Sequence, residues 1–569
     1  VSGMMASYSE IDGLPVGMNP KIARTLLRDT MGFRGMLTSD GAGVLKMYNY
    51  FKVASSYPEA GLLAKRAGLD TEIPVGGAFS KLPDYVRSGQ LDEAVLDESV
   101  RRILTIKFEY GLFEHPYLDE DAVEAHMTTP EKRVLADEIA RRSLVLLKND
   151  GTLPLKAGTR LAVIGPHAGS LRDPVSGYTY PAYLEMIEAT RKSAGQVTFA
   201  GMADEAQKAR SGGKKADDPF SAMSSAPLPG MEEVLRQMGA VTLQEALAAR
   251  FPVTCAKGCT VTGDDTSGFA EAVAAAEASD LAVLALGGNC GWFGTTGGEG
   301  KDRCHLSLPG VQQQLLEAVA ATGKPVVVVL YGPGIFALPW AAAHTAAMVQ
   351  AWMPGAGAGE AVARMLAGED NPSGHLPVTI PRSVGQVPVT YNHRTGSGYA
   401  TSGDTTASLI FSGGYVDEDA SPLFPFGHGL SYTDFALTDL KLESEEVPTD
   451  GVIRLSCQLE NTGSRDGDQV VQLYTHFCDA HVIRPVKQLS GFLRVSLKAG
   501  EKKQVSFALS CAQLGYYNEA MDFVVEPGRL EVMVGFSAAE LPLTGAVTLT
   551  GPAQSLMGKR VYKCETSAE

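Results

Sequence analysis

Two acidic residues stand where chemistry can be done. Asp40 closes the run Met36-Leu37-Thr38-Ser39-Asp40 and is followed by Gly41. The C-terminal end of an apolar strand is where β/α enzymes hold their reacting groups. A carboxylate there can attack an anomeric carbon, bind a metal, or simply cap the turn that follows. Glu299 lies in Gly297-Gly298-Glu299-Gly300-Lys301-Asp302-Arg303. Its glycines give a free, surface-lying backbone. From such a tip the acid can reach into a pocket of a neighbouring domain, remain a surface acid, or pair with Arg303. The pattern G-x-x-x-x-G-K-[ST] is absent, so these glycines are not a phosphate cradle of that kind. Pro354-Gly355-Ala356-Gly357-Ala358-Gly359-Glu360 follows a strand and opens a helix, as a dinucleotide fingerprint would. The third glycine of G-x-G-x-x-G is missing in either register, and close strand-to-helix packing is the reading it supports.

The elements that must position these acids fall into three styles of patterning. Residues 1–125 alternate strand and helix. Strands are expected at Met4–Tyr8, Met36–Asp40 and Leu69–Ile73, with a helix from Pro20 to Gly32 and another through Leu62–Ala67. Val100, Ile103, Leu104 and Phe108 recur at helical spacing, with Gly111 as the stop. Residues 141–385 alternate again, with short buried strands at Leu144–Leu147, Leu161–Gly165, Leu281–Leu286, Pro325–Tyr331 and Met348–Met353. That is the signature of a mostly parallel sheet covered on both faces. A loop is expected from about Lys208 to Pro229. Residues 126–140 and 386–430 read as linkers, the second rich in Gly, Ser, Pro and Tyr. From 431 to 550 the period changes to two, as in Ile453, Leu455, Cys457 and Leu459, and turns recur at Asn461-Thr462-Gly463 and Glu526-Pro527-Gly528. Repeated short alternating strands predict an antiparallel β-sandwich, and 551–569 reads as a tail.

Bulk composition narrows the function classes. The net charge of −16, from 65 acids against 49 bases, comes with no basic run. Nucleic-acid binding, which needs one, is therefore not expected, and no apolar run approaches the roughly 18 residues of a membrane span. Eight Cys are too few for a disulfide scaffold in 569 residues,. Cys255 and Cys259 lack a second ligand pair nearby, so no zinc site is expected.

Taken together, the segments resemble family 3 glycoside hydrolases over nearly the whole chain. Ser7-Tyr8-Ser9-Glu10-Ile11-Asp12-Gly13-Leu14-Pro15 is similar to the family's S-Y-N-x-x-x-G-x-P, and Gly32–Asp40 to the G-F-x-G-x-V-x-S-D segment that ends in the nucleophile. Arg102-Ile103-Leu104 and Gly111-Leu112-Phe113 resemble the end of the barrel. Leu146-Leu147-Lys148-Asn149 and Leu153-Pro154-Leu155 resemble the entry to the second domain. Glu299-Gly300-Lys301-Asp302-Arg303 with Leu308-Pro309-Gly310 and Gln312 resembles the acid/base loop. Phe424-Pro425-Phe426-Gly427-His428-Gly429-Leu430-Ser431-Tyr432, Arg484-Pro485-Val486-Lys487 and Val525-Glu526-Pro527-Gly528 resemble later landmarks.

The resemblance implies the C-terminal part of a (β/α)8 barrel, an α/β sandwich domain and a fibronectin type III-like β-sandwich. It implies a retaining exo-β-glycosidase acting on terminal β-D-glucosyl or β-D-xylosyl residues of an oligosaccharide or of an aryl or alkyl glycoside. Asp40 would be its nucleophile and Glu299 its acid/base, with no metal or organic cofactor. A retaining glycosidase needs the two carboxyls about 5–5.5 Å apart. Tyr8 and Met5 match positions lining the first sugar subsite, against the alternative of barrel packing. Arg303 either orients Glu299 or pairs with Asp302. The Glu-Gly-Lys-Asp-Arg loop favours Glu299 over the His–Asp dyad of some members, and over a phosphorylase. Gly41 stands where β-glucosidases often carry Trp, while Gly177-Tyr178-Thr179-Tyr180-Pro181 resembles a G-D-Y-x-Y-P pattern of relatives acting on β-glucosides and β-xylosides. Cys290 and Cys304 bracket the acid/base loop, and a disulfide between them is one expectation.

The chain departs from the family in one respect. A barrel takes eight strands, and only three are identifiable before residue 125, so the chain is expected to begin inside its barrel. The expected explanations are a clipped or split enzyme completed by a second chain, or a catalytically silent carbohydrate-binding or structural remnant. A homo-oligomer and either a cytoplasmic or a periplasmic or secreted location fit equally well.

Overall fold

The computed structural model describes residues 1–73, 76–127, 129–192, 229–292, 295–394, 415 and 417–569. Most of the expected loop Lys208–Pro229 lies outside the described residues. Val1–Thr129 lie in one compact unit, and Pro130–Met186 together with Pro227–Glu569 form a second.

In the first unit, strands β1 (Gly3–Ala6) and β4 (Met36–Ser39) pair in parallel, with Ala6 opposite Ser39. Between them a small hairpin, β2 (Glu10–Ile11) and β3 (Leu14–Pro15), turns at Asp12 and Gly13. A wide π-type helix, Lys21–Thr30, follows Pro20. The third expected strand, Leu69–Ile73, is reduced to a single bridge, Thr38 with Thr71. Backbone bonds flank that bridge, the Ser39 N–H donating to the Thr71 carbonyl (3.0 Å) and the Thr71 N–H to the Leu37 carbonyl (3.3 Å). Side chains take the next donors: the Leu37 N–H donates to the Asp70 carboxylate (2.8 Å) and the Ile73 N–H to Ser39 Oγ (3.0 Å). The helix Tyr57–Ala67 is capped by Ser56, whose hydroxyl accepts the Glu59 N–H, and stops at Gly68 with φ +113°. The unit's core is small, built of Ala6, Leu27, Leu37, Val44, Met47, Ala64 and Leu69. The helix Glu93–Glu109 leaves its regular apolar stripe open, Phe108 being 62% exposed and Val100 51%.

In the second unit six strands run β5 (Val145–Asn149), β6 (Leu161–Ile164), β7 (Val253–Ala256), β8 (Leu281–Gly287), β9 (Val326–Tyr331) and β10 (Ala347–Trp352). They lie in the order β5-β10-β9-β8-β6-β7, parallel except for the edge pair β5–β10. Successive side chains point to opposite faces. Val163, Val283, Val327 and Val349 therefore pack on one side with the helices Leu243–Ala248 and Ala358–Ala367. Ile164, Leu284, Val328 and Met348 pack on the other with Phe269–Glu277 and Gln312–Ala320. Covering both faces is why these strands read as unbroken apolar runs.

Two stretches expected to be linkers carry structure. Within 126–140 the chain is mostly the helix Pro130–Ser143, whose Ala140 joins the sheet core. Within 386–430, Phe424 is buried beside Leu376 and Ile380, and the Leu430 N–H donates to the Leu146 carbonyl at the sheet edge (2.9 Å). The apolar residues scattered through that Gly- and Pro-rich stretch are what fasten it.

A β-sandwich follows. One sheet holds β11 (Phe435–Leu442), β13 (Val452–Asn461), β16 (Lys502–Ser510) and β22 (Glu565–Ala568). The other holds β12 (Glu446–Pro448), β14 (Gly467–Phe477), β15 (Gln488–Leu497), β19 (Gly528–Gly535) and β20 (Leu543–Thr550). A small third sheet comprises β17 (Tyr516–Tyr517), β18 (Phe523–Val525) and β21 (Gln554–Ser555). The expected tail 551–569 thus supplies an edge strand, β22, antiparallel to β16. No described helix is long and apolar enough to cross a membrane.

Candidate active site

Asp40 directly follows β4 and is half-buried. The Gly41 N–H donates to its Oδ1 at 2.6 Å, and its own carbonyl accepts the Gly43 N–H at 2.9 Å. The helix Gly43–Asn49 starts there, after Ala42 at φ +58°. Tyr8 comes to the same place from the neighbouring strand: its hydroxyl donates to the Gly41 carbonyl at 2.5 Å, and Lys46 Nζ lies 3.3 Å from its ring centroid. That hydroxyl is 3.6 Å from where a side chain at position 41 would begin, so Tyr8 fills space that an aromatic residue would claim. Met5 sits opposite Thr38 on β1 and is 56% exposed, outside the core. Tyr8 and Asp40 are thus brought together, and Met5 lies on the strand beside them.

The support under β4 is a buried charge cluster. Asp70 accepts from Arg28 Nη2 (2.8 Å), Arg102 Nη1 (2.9 Å), Ser99 Oγ (2.7 Å) and the Leu37 N–H (2.8 Å). Lys65, 2% exposed, donates to Ser99 and to the Leu69 carbonyl (3.2 Å), and burial pushes its pKa down to about 8. Nearby, Glu72 accepts the Tyr57 hydroxyl and the N–H groups of Ala78 and Phe79, and burial raises its pKa.

In the second unit Glu299 is exposed at the tip of a tight turn, between Gly298 (φ +141°) and Gly300 (φ +65°). Gly298 bridges Lys301, and Gly297 bridges Cys290. A Cβ on Gly298 would come within 3.0 Å of the Gly291 carbonyl oxygen, so the turn needs glycine for its backbone and for its space. The Tyr178 hydroxyl donates to Glu299 Oε2. Trp292 lies beside Tyr178, ring centroids 5.2 Å apart, and beside Tyr183 at 6.0 Å.

Arg303 does not reach Glu299 or Asp302. Its Nη2 donates to the Ile335 carbonyl at 3.1 Å and its guanidinium covers the Phe336 ring at 4.6 Å. Desolvation there lowers its pKa. It pins the far end of the loop. Cys290 is buried and Cys304 exposed, and both are free thiols, so the disulfide expectation fails. The Pro354–Glu360 glycines serve packing: a Cβ on Gly359 would meet the Val241 carbonyl oxygen at 2.2 Å. Among the described residues no cluster of three or more His, Cys, Asp or Glu could hold a metal ion.

Sequence reasoning met one support of the Glu299 loop, Gln312, only as part of a motif and missed the others. Gln312, fully buried, exchanges two hydrogen bonds with Gly287 at the end of β8, both 2.8 Å, and donates to the Val261 carbonyl at 2.8 Å. Arg172 makes a forked pair with Glu185 Oε2, at 2.7 and 3.1 Å, directly under Gly291. Asp173 accepts from Asn289 Nδ2 at 3.2 Å and lies 3.1 Å from His167 Nδ1. Burial would raise the Asp173 pKa, but the neighbouring His167 imidazole, Ser170 and Asn289 hold it below the ordinary carboxylate value. Arg172, Glu185, Asp173 and His167 have no short-range spacing that would mark them.

Comparison with known proteins gives the family. The chain matches the glycosyl hydrolase family 3 N-terminal domain over residues 1–106, the family's C-terminal domain over 144–432 and a fibronectin type III-like domain over 469–538. It is 31% identical to the periplasmic beta-glucosidase of Salmonella typhimurium over 95% of this chain and 66% of that protein. It is 33% identical to a beta-xylosidase of Formosa agariphila over 95% of this chain and 68% of that one. Among solved structures it resembles a Listeria innocua beta-glucosidase in complex with isofagomine, with a TM-score of 0.79 at 28% identity over 96% of this chain and 68% of that one. The chain therefore spans about two thirds of the length of these relatives, and it belongs to glycosyl hydrolase family 3.

Proposed function

We propose that this chain carries the catalytic groups of a retaining exo-β-glycosidase that removes terminal β-D-glucosyl or β-D-xylosyl residues. Family membership with an acid at the end of β4 and a second acid on a glycine-built turn carries this reading. In the first step the glycosidic C1–O bond breaks as Asp40 bonds to C1 and Glu299 gives its proton to the departing oxygen. Oδ1 of Asp40 is held by the Gly41 N–H, so Oδ2 is the attacking atom. In the second step Glu299 takes a proton from water as the water oxygen replaces Asp40 on C1. Neither step calls for an oxidant or an organic cofactor. Similarity to proteins named beta-glucosidase and beta-xylosidase supports both sugars.

A 2-fluoro-glucoside with a good leaving group, followed by peptide mapping, tests the assignment. Accumulation of label on Asp40 is expected. A label on another residue, or turnover that survives Asp40→Ala, would refute it. The ratio of turnover on matched aryl β-glucosides and β-xylosides assigns the sugar.

A further inference from the structure

We propose that Asp173 and Asn289 form a positioning pair that aims Glu299. This rests on the reading of Glu299 as acid/base and deepens it. The strand order brings β6 and β8 side by side in parallel, Ile164 opposite Leu284, so the segments leaving their C-terminal ends emerge together. This is the point where strand order reverses, and where open α/β sheets place their functional loops. One segment carries His167, Arg172 and Asp173; the other carries Asn289, Gly291 and, ten residues beyond Asn289, Glu299.

The carboxamide of Asn289 is used on both sides. Its Nδ2 donates to Asp173 Oδ1 (3.2 Å), and its Oδ1 accepts the Thr296 N–H (3.1 Å). Thr296 Oγ1 in turn accepts the Asn289 N–H (2.9 Å) and donates to its carbonyl (3.2 Å). Asn289 and Thr296 therefore close the loop on itself, and Asp173 is where the closed loop is fastened to the sheet. Glu299 follows Thr296 by three residues, across the glycine turn. Asp173 is itself held, 8% exposed, by fully buried His167 at 3.1 Å and by its own N–H donating to Ser170 Oγ at 3.1 Å. The glycines at 297, 298 and 300 give the acid freedom to reach, and freedom is a liability for a proton donor. A misplacement of about 1 Å costs on the order of 100-fold in rate. The Asp173–Asn289 contact fixes the foot of the loop that the glycines cannot fix.

Asn289→Asp keeps the shape of the side chain, removes the donor and sets two carboxylates against each other. The double variant Asn289→Asp with Asp173→Asn restores a carboxylate–carboxamide pair with the partners exchanged. Two measurements follow on the full chain. Trypsin cleavage after exposed Lys301, followed by mass spectrometry of the released peptides, reads loop position without any substrate. It should quicken at least tenfold in Asn289→Asp and return to the wild-type rate in the exchanged double variant. Hydrolysis of a methyl β-glucoside, whose leaving group needs a proton, should fall about 100-fold. The kcat/KM of a 2,4-dinitrophenyl β-glucoside, which reports only the first step and whose leaving group needs no proton, should fall less than threefold. The proposal is overturned if cleavage after Lys301 is unchanged, or if both substrates lose rate equally. A wild-type chain that hydrolyses neither substrate sinks the functional reading instead, and the cleavage rates still decide whether the pair holds the loop.

Discussion

Replacing Asp70 with alanine should loosen β4 by about 3–5 kcal/mol, the range for breaking a buried ion pair from one side. The geometry explains so large a cost. The carboxylate has no exposed surface and satisfies four donors, two of them guanidinium groups only 11% and 22% exposed. In Asp70→Ala the Leu37 N–H loses its partner, which alone costs about 1–3 kcal/mol. Arg28, Arg102 and Lys65 are then left as three cations around an empty site. Lys65 relieves part of this strain, because its pKa, already pushed down to about 8 by burial, falls further when the Asp70 attraction is gone. Asp70→Asn keeps the shape and one acceptor oxygen and should cost less, about 2 kcal/mol. Hydrogen exchange of the peptide spanning Gly35–Asp40 measures the effect where it matters, since those amides open with β4. At one decade per 1.4 kcal/mol, exchange should quicken roughly 100- to 4,000-fold in Asp70→Ala. An increase below tenfold would refute the view that this carboxylate holds the strand on which Asp40 rides.

Four further outcomes follow from the geometry. Tyr178→Phe removes the donor to Glu299 Oε2 and should lower kcat/KM on methyl β-glucoside about tenfold, a loss in line with one charge-assisted hydrogen bond at a partly exposed site; an unchanged value would dismiss the contact. Gly287→Ala places a Cβ 2.0 Å from the Tyr331 carbonyl oxygen at φ +128° and should cost about 3 kcal/mol or more, read as a lower midpoint in thermal unfolding. His375 is buried with its pKa pushed down to about 4. Between that value and the unfolded 6.5 only the unfolded chain takes the proton, so acidification through this window weakens the fold, by about 2–3 kcal/mol at pH 4.5. His375→Leu should flatten that part of the urea-midpoint profile. A thiol reagent should modify the exposed Cys255, Cys304 and Cys478 first in the native protein, and mapping under non-reducing conditions should find no Cys290–Cys304 link.

Much of the second unit was legible because burial on both faces leaves an unmistakable trace. Leu281–Leu286 and Val326–Tyr331 are uniformly apolar and became central strands. What failed were the edges. Val253–Ala256 is a strand with Thr254 and Cys255 exposed, so its only signal is pairing with β6, which no local pattern encodes. β22 is Glu-Thr-Ser-Ala, polar enough to read as tail, and its backbone bonds to β16 alone define it. The antiparallel direction of β5 is equally invisible, since Val145–Asn149 has the composition of its parallel neighbours. In the first unit the failure ran the other way: Val100, Leu104 and Phe108 keep a perfect helical stripe and stay exposed. Periodicity reports which face is meant for burial, and by itself says nothing of what buries it.

The same asymmetry governs the site. The two acids proposed as reacting groups stood out in the sequence because the chemistry restricts residue type: one carboxyl on a rigid strand end, one on a segment that can reach. The residues that hold them were not, because a support needs only polarity, and its partner can lie anywhere the topology returns. Asp173 and Asn289, or Tyr178 and Glu299, are separated by more than a hundred residues and share no spacing rule. One piece of topology recovers them. Once Leu161–Ile164 and Leu281–Gly287 are known to be adjacent and parallel, the segments following Ile164 and Gly287 must leave the same end of the sheet. Any polar side chains on one become candidate anchors for the other. Gly165 and Gly287, with left-handed φ of +116° and +128°, then mark where each strand lets go. The sequence names the proposed reacting groups, and strand adjacency, rather than any motif, names the candidates for aiming them.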